Sequence, residues 1–246
     1  MATALPSPLR RLVLLGAPLS LGLLNATHPG PDPANPSATI FQALVAQGRV
    51  DWWITLHLVQ PILLGFLALA VVVLADGLRG PLVTLSRVGI GAFLIAYSAF
   101  DAVAGIAVGY VVRYASGLPA DQQVVVDGVL EAVALDPIVG GATFSVLGGA
   151  ASIAWLVAAL PVAVGLARSG SPRPAVALLA LGTLVFAISH PAPIGPIGMA
   201  LFLAGTTLLE FGSYRHAVGS VASAHSRYGT ESGRPITATR PEVVRC

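Results

Sequence analysis

Apolar residues in this chain come in long blocks, separated by short polar or proline-rich breaks. The blocks lie at about 12–27, 52–75, 88–112, 138–166, 174–190 and 196–213. Several run on for the ~20 residues that an α-helix needs to span the hydrocarbon core of a bilayer. The pattern predicts an all-α integral membrane protein, a bundle of six transmembrane helices. Proline recurs too often across residues 28–36 for a helix there.

Two weaker patterns interrupt the blocks. Ile40, Phe41, Leu44 and Val45 form one stripe behind Ser37, a natural N-cap, and predict a short helix over 38–47. Val125, Val129, Ala132 and Val133 line one face of residues 120–134, with Asp127 and Glu131 on another. Both read as short amphipathic helices lying on the outer surface. Asp136-Pro137 has the form of a cap and first residue for the fourth long helix. Asp101, Gly105 and Gly109 recur at four-residue steps on the third helix, as do Gly141, Ser145 and Gly149 on the fourth. The spacing predicts two thin faces packed against each other. Residues 217–246 are rich in Ser, Thr, Gly and Arg without apolar periodicity and predict a disordered cytoplasmic tail after a membrane domain over 1–216.

Leu12–Thr27 behind Arg10-Arg11 also has the form of a signal peptide. Leu24 stands where a cleavage site wants a small residue, so a retained first helix is the expectation. Arginine orients the bundle. With the N-terminus inside, Arg10, Arg11, Arg79, Arg87, Arg168, Arg173, Arg215, Arg227, Arg234, Arg240 and Arg245 are cytoplasmic. Only Arg49 and Arg113 are outside, 11 against 2. The chain is expected in the cell membrane as a multi-pass protein with both termini cytoplasmic.

Composition narrows the chemistry. Charged residues make up 10% of the chain, far below the usual ~25%. There is no lysine, which excludes a retinal Schiff base and lysine-dependent covalent catalysis. The one cysteine, Cys246, excludes an internal disulfide and a Cys-rich metal site. A net charge of +2 does not point to nucleic acid. The expected partners are the lipid bilayer, further copies of the chain or other membrane subunits.

The stretch Asp51-Trp-Trp-Ile-Thr-Leu-His-Leu-Val-Gln-Pro61 carries the most chemistry. Trp52 and Trp53 suit the headgroup belt. His57 and Gln60 share a helix face, and Pro61 deprives the His57 carbonyl of its helical donor. Asp101 lies near the middle of the third helix, where a carboxylate costs roughly 2.5–3.5 kcal/mol to insert. Gln60 lies at nearly its height, and Tyr97 one turn away. An Asp101–Gln60 hydrogen bond is expected, in an outward-facing polar pocket of Asp101, Gln60, His57 and Tyr97 serving as a ligand or proton site. His28, His57 and His190 fall at one depth. Three imidazoles there suit Zn²⁺ or Cu²⁺, and two on facing helices suit haem.

Three functions compete: a membrane protein binding a small ligand, metal or haem; a small proton-coupled transporter using Asp101; and a non-catalytic membrane subunit or scaffold. No motif of a known enzyme class appears in a usable context, and no nucleophile–base pair falls at one depth, so the balance is against an enzyme.

Overall fold

The computed structural model describes residues 6–30, 35, 37–141 and 145–231, with side chains described as far as residue 212. Among them the protein is all α. In chain order the helices are α1 (Ser7–Ala26), α2 (Ile40–Ala46), α3 (Val50–Leu74), α4 (Pro81–Phe100), a π-helical stretch (Asp101–Ala107), α5 (Val108–Ala115), α6 (Ala120–Ala134), α7 (Val146–Arg168), α8 (Arg173–Ile188) and α9 (Ile194–Glu231). Five spans are long and apolar enough to cross a membrane: α1, α3, the continuous Pro81–Ala115 rod, α7, and α9 as far as Gly212. The block expected over 174–190 forms a helix of 16 residues, shorter than the other five.

Several boundaries move, each for a local reason. The third long helix begins at Pro81, not 88, because proline without an N–H suits the first helical turn. Asp136 does cap, but its carboxylate accepts from the Ile138 and Val139 N–H groups (2.8 and 2.9 Å) and closes only a turn. The helix expected from 138 begins at Val146, capped by Ser145 over the Gly148 N–H. The first short helix is capped by Thr39, not Ser37, in a reciprocal box with Gln42. The last helix does not stop at 213. It continues to Glu231, across half of the expected disordered tail, because an established helix propagates readily until a breaker arrives. Residues 232–246 lie outside the described residues, as do 31–34 and 36 of the proline-rich linker.

The third and fourth long helices pack together as expected, but not through the expected faces. The thin face of Asp101, Gly105 and Gly109 lies on α3, where His57, Trp53 and Ile54 occupy the space a side chain would need. The close approach of α4 to α7 occurs instead at Ser86 and Gly89. The Ser86 hydroxyl donates to the Ala158 carbonyl at 2.6 Å, and a Cβ on Gly89 would stand 2.5 Å from the Ala158 nitrogen. Gly141 lies outside α7, and Gly149 meets no neighbouring element. α8 and α9 form a tight hairpin in which Gly182 and Gly198 each abut the other helix's backbone.

The main core joins α1, α3, α4, α7, α8 and α9 around Trp155, Phe93, Phe202, Leu14 and Leu67. At one end, Arg10 and Arg11 both bind Glu210 (3.1 and 3.3 Å), and Arg10 reaches the Val73 carbonyl, tying α1, α3 and α9 together. At the other end, α2 and α6 dock through Phe41, Leu44 and Leu130 onto Val112 of α5 and Trp53 of α3. Gln42 of α2 donates to Asp127 of α6 at 3.0 Å. The two short helices therefore form one cap over the start of α3.

Gly89→Val tests the α4–α7 contact. Overpacking at backbone separation should cost about 1–3 kcal/mol, read as a lower thermal unfolding midpoint in detergent, whereas Gly149→Val should leave the midpoint unchanged.

Candidate metal and polar site

Beneath the cap, three imidazoles converge. His28 follows the end of α1, His57 lies two turns into α3, and His190 lies in the loop between α8 and α9. Their ligand nitrogens all lie within 4.8 Å of one another. The His28 ring meets His57 and His190 edge-on, with centroids 5.2 and 5.3 Å away. His57 is buried, whereas His28 and His190 are partly exposed.

The backbone sets each ring. Thr27 and His28 close the last turn of α1 by bonding back to Leu24 and Asn25, which turns the His28 ring inward. Its Nδ1 lies 2.8 Å from the Pro29 carbonyl. The Nδ1 of His57 lies 2.7 Å from the Trp53 carbonyl. A carbonyl only accepts, so both Nδ1 atoms carry the proton and both Nε2 atoms present a lone pair. This backbone bonding is the support that metal-binding histidines usually have. The His28 Nε2 is buried and has no hydrogen-bond partner among the described residues. His190 is brought down by a tight turn that only glycine permits at 195, since a Cβ there would collide with the His190 carbonyl. Its ring stands edge-on to Tyr97 and Phe100.

Asp101 flanks the cluster. Its Oδ1 lies 3.8 Å from the His57 Nε2, and its Oδ2 is buried without a hydrogen-bond partner among the described residues. The π-helical stretch begins at this residue. Such a widened turn breaks the regular backbone ladder, and π-turns recur at functional sites. The Trp53 indole donates to the Gly105 carbonyl in this stretch at 2.7 Å. Gly105 is required because a side chain would occupy the His57 ring.

The expected Asp101–Gln60 bond is not formed. Gln60 donates to the Tyr97 hydroxyl at 3.2 Å, and Asp101 faces His57 instead. Among the described residues the Gln60 carbonyl oxygen is buried without a hydrogen-bond partner, as are both amide atoms of Asn25 in α1. Trp53 also departs from expectation. It is buried and lies tilted against His57 with centroids 4.4 Å apart, whereas Trp52 reaches the Thr27 carbonyl at 2.9 Å. The sequence held the three histidines, Asp101, Gln60 and Tyr97, but not the π-turn or the Trp53–Gly105 bond. The recurring small residue at 105 was the available signal.

Electrostatics keep the outer rings neutral. Burial holds His28 below the usual imidazole range; the Pro29 carbonyl opposes this in part, and Arg49 adds a smaller push downward. Burial lowers His190 well below that range, and His28 and His57 lower it further. Neutral imidazoles are the form that ligates metals. The buried His28/His57/His190 cluster is compatible with metal coordination, with the His57–Asp101 pair at its side. No protein-family model, curated protein or solved structure matches the chain.

Both lowered histidines bind fewer protons folded than unfolded once the pH drops below about 6.5. Stability of the metal-free protein is therefore present above that pH. It falls as the pH drops through 6.5 and levels off below the folded pKa values. Thermal unfolding in detergent at pH 7.5 and 5.5 should show this, with a smaller drop for the His28→Gln, His190→Gln double variant.

Proposed function

We propose that the protein is a six-helix membrane protein that holds one divalent transition metal, Zn²⁺ or Cu²⁺, on His28, His57 and His190, with Asp101 beside it. The observation that carries this reading is the meeting of three imidazoles from distant parts of the chain, two with Nε2 lone pairs set by backbone carbonyls. Zinc–nitrogen bonds of about 2.0–2.1 Å place tetrahedral ligands ~3.4 Å apart. Nitrogens within 4.8 Å of one another need only small rotations to reach that spacing. The unpartnered His28 Nε2 and Asp101 Oδ2 favour a bound cation, since buried polar atoms normally have partners.

Among the described residues Asp101 pairs only with His57. Its place is as acceptor for the metal's ligand shell. Haem is a weaker fit. The cavity beside His190 has about 80 Å³, whereas ligand pockets usually measure about 300–1,000 Å³. The proton-coupled carrier reading keeps one specific support, the buried Asp101 in a π-turn across from the Pro61-interrupted α3.

In this reading α8 crosses as the sixth membrane helix. The arginine-rich end, with both termini, faces the cytoplasm, and the α2–α6 cap and the histidines face outward. A cysteine at Val125, with Cys246 replaced by serine, should then label from outside intact cells. Labelling only after permeabilisation would overturn the orientation.

Elemental analysis and optical spectra, oxidised and reduced, on detergent-purified protein test the metal. About one metal per chain is expected, with binding lost in His57→Ala and weakened roughly 10–100-fold in Asp101→Asn, the usual effect of removing an outer partner. A Soret band would turn the site into a haem centre. A metal-free protein made with Zn²⁺ and Cu²⁺ supplied would sink the reading. Flux that dies in Asp101→Asn while metal content holds would favour the carrier.

A further inference from the structure

Next to the histidine cluster lies a cavity of about 80 Å³ between α4, α7 and the end of α8, lined by Tyr97, Phe100, Ala151, Ser152, Ala187 and His190 among others. His190 belongs both to this cavity and to the imidazole cluster. We infer that this cavity is the binding chamber for a small exogenous ligand, a neutral molecule or monoanion of a few heavy atoms, that occupies the metal's open position at His190. The inference rests on the metal reading above and adds what the metal is for.

Three considerations carry it. Three histidine ligands leave a tetrahedral ion one position open, the arrangement that separates reactive from structural sites. Asp101 approaches the cluster at His57, and so stands at one side of it. Among the described residues His190 is the one member of the cluster that lines the cavity.

The chamber's walls define the ligand. About 80 Å³ suits a molecule of a few heavy atoms. No charged side chain lines it among the described residues, so a multiply charged species would enter without compensation. The serine hydroxyl and the tyrosine ring edge suit a small polar molecule. The cavity is built by choice of small residues. Ala151, Ser152 and Ala187 stand where larger apolar residues would have filled the space, although a void in a core forfeits packing energy.

Binding would be a simple exchange. A lone pair of the incoming molecule replaces that of a metal-bound water, and no electron is transferred.

The test uses full-length protein in detergent, loaded with Co²⁺, whose visible bands report coordination. Azide is the probe. The expected result is one Co²⁺ per chain and a saturable azide-dependent change in the visible bands. Ser152→Leu and Ala187→Leu, which narrow the cavity from different helices, should each keep the Co²⁺ stoichiometry and weaken azide at least tenfold. Benzenesulfonate, too large for the chamber, should leave the bands unchanged. Failure to bind Co²⁺ would overturn the metal reading and this inference with it. Stoichiometric Co²⁺ with no azide response would overturn this inference alone. So would azide affinity unchanged in both leucine variants, or benzenesulfonate acting as azide does.

Discussion

A polar group carried into a hydrocarbon layer has no water to fall back on, so each one must find its partner inside the protein. The seam between α3 and the π-helical stretch is where this chain meets that demand most severely. Pro61 removes a donor from one helix, and the π-turn disturbs the ladder of the other. The Trp53 indole answers for Gly105, and the Trp53 carbonyl takes the His57 Nδ1–H. Each bond also aims a ring. The backbone's own requirements therefore fix the His57 tautomer, and the ring so placed meets Asp101 and His28.

Small residues make this possible by letting helices approach. Without a hydrophobic drive between helices in lipid, packing contact and interhelical hydrogen bonds hold a bundle together. Ser86 and Gly89 bring α4 onto α7, and Gly182 and Gly198 close the α8–α9 hairpin. The hairpin matters to the site because it delivers His190. The cap matters because Phe41, Leu44 and Leu130 cover Trp53, which packs against His57.

Much of this was legible from residue order alone. Long apolar blocks announce membrane helices because length and polarity are local properties. The two amphipathic segments were readable for the same reason, and so was the common depth of the three histidines, since rise per residue is fixed. Convergence was not legible, because depth says nothing about which side of the bundle a helix occupies. Nor was the choice of partner for the thin face at Asp101, Gly105 and Gly109. Two glycine-spaced helices looked complementary, but Gly105 was reserved for an imidazole. The cap signal at Asp136 was chemically sound yet closed only a turn, because a local bond cannot say how far a helix continues. The π-turn left no pattern at all, since the same residues suit an α-helix.

The shortness of α8 bears on the surrounding membrane. Sixteen residues rise only ~24 Å, less than the ~30 Å of a typical hydrocarbon core. With α8 as a crossing helix, as proposed, its C-terminal end and the loop that follows would not reach the full height of their neighbours. Lipid beside it must thin, or headgroups and solvent must dip inward, at modest cost per ångström. The dimple would form where the chain carries His190. A residue counted as deep by its distance along the bundle would then sit at the floor of a local depression in the water boundary. Bilayer thickness would thus become a variable to which this end of the protein is mechanically sensitive.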